Sequence, residues 1–145
     1  VKGQRYKNEL LFLVDEDTNA FNKIIDGFRM PKSTTEEIEL RKAAIENATK
    51  YATEIPFKVM ETAYNSMEVM MAMAKEGIQN SLSDAGVGAL CARTAVVGAY
   101  FNVRINAKDI KDRSFAEEIL SKAEEIYKKT NVLENKMIEL IDSKI

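Results

Sequence analysis

The spacing of apolar residues constrains this chain most strongly, because they recur at intervals of three and four almost throughout. That spacing is typical of α-helices and differs from the alternation that marks a β-strand. Only two prolines and six glycines interrupt the pattern in 145 residues. A chain of this length suits a single domain with its own hydrophobic core. We therefore expect residues 1–145 to form one all-α domain, a bundle of about five helices.

Helix-breaking and capping residues divide the first half of the chain. The first helix is predicted over about residues 6–28, and it ends before Pro31 because the residue preceding a proline is pushed out of the helical conformation. Thr34 and Glu37 have the spacing of a capping box and begin the second helix. Pro56 either kinks this helix or starts a third one.

The second half of the chain predicts two further helices. Gly77 is placed to end the preceding helix, and the next helix covers about residues 84–101. This helix is rich in alanine and glycine and apolar on nearly all sides, so we expect it to be central. The last helix begins near Ser114, with apolar residues at heptad spacing from Ile119 to Leu140. Heptad spacing suits packing along a long partner helix, in this chain or in another copy.

The composition excludes several classes of active site. Histidine is absent and Cys91 is the single cysteine. This excludes Ser-His-Asp and Cys-His nucleophiles, zinc sites built on histidine or four cysteines, and iron–sulfur clusters. Any proton transfer must therefore use Asp, Glu, Lys, Tyr or Cys, and we expect no metal site. One unpaired cysteine fits a reducing compartment, so we expect a cytoplasmic protein.

Charge and hydropathy give no sign of a nucleic-acid or membrane partner. The chain has 21 Lys+Arg and 23 Asp+Glu residues, a formal net charge of -2, whereas nucleic-acid-binding domains are strongly basic. The most apolar stretch, residues 85–101, carries Arg93 near its middle and is short for a membrane span. We expect it to be a buried core helix.

Asp17 interrupts the apolar face of the first predicted helix. The other members of that face are Leu10, Val14, Phe21, Ile24 and Phe28. A carboxylate in this position should be partly desolvated, which favours its protonated form and suits it to proton transfer near neutral pH. Asp17 could instead pair with a buried Lys or Arg, or cap a neighbouring helix.

A second group of polar residues follows the apolar helix. If residues 102–106 are extended, Asn102, Arg104 and Asn106 share one side and could bind the amides and carboxylates of a small ligand. If the segment is a helix exit, Asn106 caps the turn that follows.

Two weaker signals lie on either side of this region. Asp84 is near a helix start, where the helix dipole favours an acidic residue whatever its function. Lys108, Lys111 and Arg113 follow the polar segment, and such runs are usually solvated surface, although here they could meet a ligand carboxylate.

Five motifs occur in an order and spacing that together resemble a known family. They are Leu-Val-Asp-Glu-Asp-Thr-Asn-Ala-Phe (13–21), Arg-Met-Pro-Lys (29–32), Ala-Thr-Glu-Ile-Pro (52–56), Ser-Asp-Ala-Gly-Val (83–87) and Gly-Ala-Tyr-Phe-Asn-Val-Arg-Ile-Asn (98–106). The set resembles the cyclodeaminase domain of the formiminotransferase-cyclodeaminase family, and also stand-alone bacterial methenyltetrahydrofolate cyclohydrolases. The resemblance covers about residues 10–125.

This resemblance implies an all-helical homodimer or larger homo-oligomer that acts on a tetrahydrofolate substrate and needs no other cofactor. It implies a catalytic role for Asp17, the second aspartate of the Val-Asp-x-Asp motif. Substrate contacts are then expected from Asn102, Arg104 and Asn106. Asp84 and Lys108 are further candidates for substrate binding. A formiminotransferase is a further partner that the resemblance implies.

The implied reaction converts 5-formimidoyltetrahydrofolate to 5,10-methenyltetrahydrofolate and ammonia. The alternatives are hydrolysis of methenyltetrahydrofolate and a non-catalytic helical assembly module. We expect an apolar wall that includes Val14 and Phe21 to exclude water around Asp17, which favours loss of ammonia over hydrolysis. Members of the family carry a Pro-x-Pro-Gly-Gly-Gly-Ser loop and further helices before this region. These are not in the 145 residues, and a first residue Val1 in place of Met agrees with a missing N-terminal part.

Overall fold

The computed structural model describes residues 1–145 as an all-α protein, as predicted. It has four long helices and one short 3-10 turn between the second and third of them. The helices are α1 (Lys2–Arg29), α2 (Thr35–Glu76), α3 (Leu82–Ala107) and α4 (Arg113–Asp142), and the turn covers Gln79–Ser81. The expectation of about five helices is wrong by one, because α2 occupies the place of two predicted helices.

α2 passes through Pro56 as a single helix of 42 residues. Proline has no amide hydrogen, so the carbonyl of Ala52, one turn earlier, has no donor within the helix. Nδ2 of Asn106 on α3 donates to that carbonyl oxygen at 2.8 Å. A tertiary hydrogen bond thus takes the place of the missing helical one, and a new helix does not begin here.

Several predicted helix ends are confirmed, although α3 continues to Ala107, six residues beyond its predicted end near residue 101. The Thr34 hydroxyl accepts a hydrogen bond from the backbone amide of Glu37, whose carboxylate accepts from the backbone amide of Thr34. α2 ends at Gly77, where a Cβ atom would lie 2.4 Å from the carbonyl oxygen of Met73. Glycine is therefore required at this position. α4 begins one residue before Ser114, with its N-terminus capped by the side chain of Asp112.

α3 lies against both α2 and α4, as its small apolar residues predict. Val96 and Val103 are fully buried together with Met60 of α2 and Ile119 of α4. By length and mean hydropathy alone, residues 79–107 would suffice to cross a membrane. In this fold one side of that stretch forms the centre of the protein core, and another side is exposed.

The heptad-spaced residues of α4 are used inside this chain. Ile119, Ala123, Thr130 and Met137 are all buried. On the same helix, the Glu134 carboxylate forms an ion pair with Nε of Arg93 on α3, at 2.7 Å. The heptad pattern therefore does not offer a free surface to another copy of the chain.

The predicted inner face of α1 is wrong by about one residue around the helix. The buried residues of α1 are Tyr6, Leu13, Ala20 and Gly27. By contrast, Val14, Phe21 and Phe28 are 64%, 60% and 54% exposed. The physical reason is close packing: a Cβ atom on Gly27 would lie 3.0 Å from the side chain of Ile45 on α2. Ala20 and Gly27 allow this approach, so α1 docks through the side that carries them together with Tyr6 and Leu13.

Ile55 tests this docking seam, because it is buried against Leu13 and Ala20 of α1. We expect Ile55→Ala to lower the free energy of unfolding by about 2–5 kcal/mol, since it leaves a cavity in the core. Leu40→Ala is a matched control on the same helix, at a side chain that is 57% exposed, and should cost less than about 0.5 kcal/mol. Urea unfolding measures both. Equal effects of the two substitutions would contradict the described packing of α1 on α2.

Candidate functional site

A cleft between α1, α2 and α3 brings together two of the residues predicted to be functional. Its volume is about 490 Å³. It is lined by Leu10, Leu13, Val14, Asp17, Thr18, Pro56, Val59, Ala95, Ala99 and Asn102. Asp17 comes from α1 and Asn102 from α3, so a carboxylate and an amide face one cavity among mainly apolar side chains.

Helical spacing explains why these residues meet. On α1, Leu10, Val14 and Asp17 are spaced by four and three residues and therefore share one side of the helix. Ala99 and Asn102 have the matching spacing on α3. The short side chains of α3 leave room for a ligand beside α2.

Asp17 is exposed within this cleft and forms no ion pair or side-chain hydrogen bond in the chain. The alternatives of a buried ion pair and of a helix cap are therefore wrong. The expected desolvation is also wrong for this chain, because Val14 and Phe21 point largely to solvent and do not enclose the carboxylate. An accessible carboxylate without a protein partner can exchange protons with a bound ligand.

The polar segment 102–106 is helical, since α3 continues to Ala107. The extended alternative is therefore wrong, and Asn102 and Arg104 lie on different sides of α3. The Arg104 guanidinium lies over the ring of Tyr100, 5.5 Å from its centroid. Asn106 shares the side of Asn102, one turn further on, but its amide is bonded to α2 and does not cap the following turn.

The remaining predicted residues do not line the cleft. Asp84 is exposed in the first turn of α3, about 27 Å along the helix axis from Asn102. Lys108 is exposed just after the end of α3. Nη1 of Arg113 donates to the carbonyls of Ala107 and Ile110, at 3.4 and 3.3 Å. Arg113 therefore binds the end of α3.

The backbone of Lys111 is likewise held in a structural contact, while its side chain is exposed. Its backbone amide donates to the carboxylate of Glu46 on α2, at 3.0 Å, and the amide of Asp112 donates to the same carboxylate. Burial raises the pKa of Glu46, but these backbone donors outweigh it and the net shift is downward. No group of three or more Cys, Asp or Glu side chains is gathered where it could hold a metal ion.

One hydrogen bond between α1 and α2 was not predicted from the sequence. The hydroxyl of Tyr51 on α2 donates to the carboxylate of Glu16, the residue before Asp17. The bond from Tyr51 is the main cause that lowers the pKa of Glu16, and a second hydrogen bond from Asn19 lowers it further. The bond to Glu16 also raises the pKa of Tyr51. Glu16 follows Leu13 by three residues and precedes Ala20 by four, so it borders the docking seam. The spacing of Glu16 from Leu13 and Ala20 therefore predicts this contact only when the buried side of α1 is already known.

The comparison with protein families decides where this chain belongs. The model of the formiminotransferase-cyclodeaminase family matches residues 1–125. The chain belongs to the formiminotransferase-cyclodeaminase family. The resemblance carried by the five sequence motifs is thereby confirmed.

Relatives of this family member carry two different names. The chain is 32% identical, over 144 residues, to the methenyltetrahydrofolate cyclohydrolase of Methylorubrum extorquens. The aligned region covers 99% of this chain and 69% of that protein. It is 40% identical, over 111 residues, to the formimidoyltransferase-cyclodeaminase of Gallus gallus, and the aligned region covers 77% of this chain. The chain spans about a fifth of the length of the chicken protein, 20%.

A solved structure shares the fold of this family member. The formiminotetrahydrofolate cyclodeaminase of Thermotoga maritima superimposes with a TM-score of 0.82 over 97% of this chain. The two are 22% identical, and the chain spans 66% of the Thermotoga chain. The likeness establishes a common helical architecture.

Tyr51→Phe tests the hydrogen bond between Tyr51 and Glu16, because it removes the hydroxyl and keeps the ring. The pKa of Glu16 is lowered from 4.5, so the bond stabilises the fold above that pH and its contribution is lost as the pH falls through the folded-state value. The pKa of Tyr51 is raised from 10.0, so the contribution is also lost as the pH rises through that folded-state value. We expect Tyr51→Phe to lower the thermal midpoint at pH 7, with a difference from wild type that shrinks in acid and in strong base.

Thermal melts across the pH range measure this difference. Tyr64→Phe is the control, since the Tyr64 hydroxyl on the same helix forms no hydrogen bond with another residue. It should change the midpoint little and by the same amount at every pH. A Tyr51→Phe difference that is constant with pH would contradict the role of the Glu16 bond.

Proposed function

We propose that this chain is a folate enzyme that converts 5-formimidoyltetrahydrofolate, supplied by a formiminotransferase, to 5,10-methenyltetrahydrofolate and ammonia. The observation that carries the proposal is the cleft, which presents the Asp17 carboxylate and the Asn102 amide among apolar side chains. Membership in the formiminotransferase-cyclodeaminase family supports it, as do relatives named for folate reactions.

The proposed chemistry requires one proton to move between two nitrogen atoms. N10 of the folate attacks the amidine carbon, forming a C–N bond and a tetrahedral intermediate. The Asp17 carboxylate accepts the proton from N10 and delivers it to the amino group, because nitrogen leaves readily only when protonated. The C–N bond to that group then breaks and ammonia departs. A protonated amidine thus yields the methenyl cation and neutral ammonia, so charge and atoms balance.

Asn102 is proposed to orient the substrate in the cleft. Its amide group has both a donor and an acceptor, and neither is used in a hydrogen bond with the protein. Such a group can pair with the amide-like edge of a pterin ring or with the carbonyl of the benzoyl group. The apolar side chains of Leu10, Val59 and Ala99 then contact the flat faces of the ligand.

Hydrolysis of methenyltetrahydrofolate is the second candidate reaction. Two observations favour it: Asp17 is open to solvent in this chain, and the Methylorubrum relative that covers 99% of the chain is named a cyclohydrolase. The same carboxylate could accept a proton from the water that adds to the bridging carbon and return it to the folate nitrogen whose C–N bond then breaks. The resulting formyl oxygen loses its remaining proton to solvent, so a neutral formyl compound forms from the methenyl cation. Access of water to that carbon decides between the two reactions.

A direct assay separates the three function classes. The protein is incubated with 5-formimidoyltetrahydrofolate while methenyl absorbance and ammonia are followed together. The proposal predicts that both rise in equal amounts. Rapid loss of added methenyltetrahydrofolate, with no ammonia from the formimidoyl compound, would identify a cyclohydrolase. An assembly module would not bind tetrahydrofolate at all.

Asp17→Asn tests the proton-transfer step, because it keeps the shape of the side chain and removes its acid–base function. Turnover should fall roughly a hundredfold or more. The fold should persist, since Asp17 is exposed and bonds to no other residue. Asp15→Asn is the matched control on the same helix, as Asp15 is also exposed but does not line the cleft. Near-normal turnover by Asp17→Asn would contradict the assignment.

We also propose that the protein assembles as a homodimer. Large apolar side chains remain exposed on two helices that form the cleft, and on each helix they share one side, as apolar residues do at interaction surfaces. They include Val14, Phe21 and Phe28 of α1 and Val87, Leu90, Phe101 and Ile105 of α3. A second copy that covers these faces would also limit the access of water to Asp17.

Sedimentation at micromolar concentration tests this assembly. We expect a dimer, and we expect Phe101→Glu to shift it toward monomer because a charge would be buried in the contact. Val132→Glu is the control, an equally exposed apolar residue on α4, and should leave the dimer intact. A wild-type monomer would contradict the proposal.

A further inference from the structure

The hydrogen bond between Asn106 and α2 carries a further inference about the cleft. We propose that Asn106 is a positioning residue: its amide supplies the donor that Pro56 lacks, and it thereby fixes the part of α2 that forms one wall of the cleft. Asn106 does not line the cleft itself. The inference rests on the proposed function only for the identity of the ligand.

The backbone carbonyl of Ala52 has no donor within α2. Ala52 and Pro56 are both buried in the middle of α2. The Ala52 carbonyl would normally accept from the amide of residue 56, and proline has none. An unpaired carbonyl in a buried position is costly. The Asn106 amide, at 2.8 Å, is the side-chain donor that reaches it.

Neighbouring side-chain bonds on α2 do not serve this purpose. The hydroxyl of Thr53 donates to the carbonyl of Thr49, and that of Thr49 donates to the carbonyl of Ile45. Both acceptors lie in regular helix, where the residue four positions later has an amide of its own. The bond from Asn106 is therefore different in kind, because it replaces a helical bond that the sequence makes impossible.

The Asn106 bond joins two helices that form walls of the cleft. Pro56 and Val59 line the cleft on the α2 side, and Pro56 lies one turn after the Ala52 carbonyl. On α3, Asn106 lies one turn after Asn102, which lines the cleft on that side. The bond thus joins α2 to α3 at one end of the cleft and holds its two walls at a fixed separation. Without it, the turn of α2 before Pro56 would rearrange or admit water.

A double-mutant cycle tests whether Asn106 replaces the helical donor of the Ala52 carbonyl, because Pro56→Ala restores the missing amide. Asn106→Ala should lower the folding equilibrium constant roughly ten- to a hundredfold in the presence of Pro56. In the Pro56→Ala background the same change should cost less than about threefold, since Ala52 regains its helical donor. Asn106→Asp, which keeps the size and cannot donate when ionised, should behave like Asn106→Ala. Additive effects of the two substitutions would overturn the inference.

Amide NMR spectra test whether the Asn106 bond positions the walls of the cleft. Asn106→Ala should shift the amide signals of Asp17, Val59 and Asn102, and Pro56→Ala together with Asn106→Ala should shift them less. Thr130→Ala is the control, because Thr130 is buried on α4, which contributes no residue to the cleft. It should leave those signals in place. Unchanged cleft signals in Asn106→Ala would overturn the positioning role.

Kinetics then separate this inference from the proposed function. Asn106→Ala should raise the KM for 5-formimidoyltetrahydrofolate several-fold and change kcat less, while Thr130→Ala changes neither. Absence of turnover in the wild type would refute the proposed reaction, and the stability cycle and the NMR spectra would still decide the role of Asn106. If Asn106→Ala does not fold, folding of the double variant supports the inference and failure of the double variant overturns it.

Discussion

The close contact between α1 and α2 is the constraint on which the rest of the site depends. Ala20 and Gly27, seven residues apart, let the backbone of α1 approach α2, and Gly27 has almost no room for a side chain against Ile45. This contact fixes how α1 is rotated about its axis. Asp17 therefore lies at the edge of the seam, where it faces the cleft and remains accessible to a ligand.

Polar side chains secure the ends of the same helices. Arg41 of α2 donates to the carbonyl of Phe28 near the end of α1, and Lys144 donates to the carbonyl of Ala74 near the end of α2. Arg113 does the same for the end of α3. In each case a cation meets carbonyl groups that have no partner within their own helix. Basic residues that a sequence suggests for ligand binding therefore include some that hold helix ends.

Local patterns were sufficient to predict the helical class and some of the helix ends. The Thr34 capping box, the stop at Gly77 and the central position of α3 all follow from chemistry within a few residues of each site. Asp17 and Asn102 also lie in one cleft, although the local environments that were expected for the two residues are partly wrong. Both residues belong to the sequence motifs, which singled them out as candidates even though the expected desolvation of Asp17 and the expected extended segment at Asn102 are wrong.

The remaining features depend on contacts between distant parts of the chain. Both sides of α1 carry apolar residues, and only the shape of α2 selects the side with Ala20 and Gly27 for the interior. The continuity of α2 through Pro56 needs an amide that is 54 residues away from its acceptor, on Asn106. Periodicity and propensity describe single segments, so they cannot identify such partners.

Mapping of tetrahydrofolate binding by NMR tests the central claim most directly, namely that the cleft between α1, α2 and α3 is the ligand site. In a titration of the wild-type protein, we expect the largest shifts at the amides of Asp17, Val59 and Asn102, with saturation at a single site. Shifts confined to another groove, such as that between α2 and α4 lined by Phe57 and Phe115, would contradict the account.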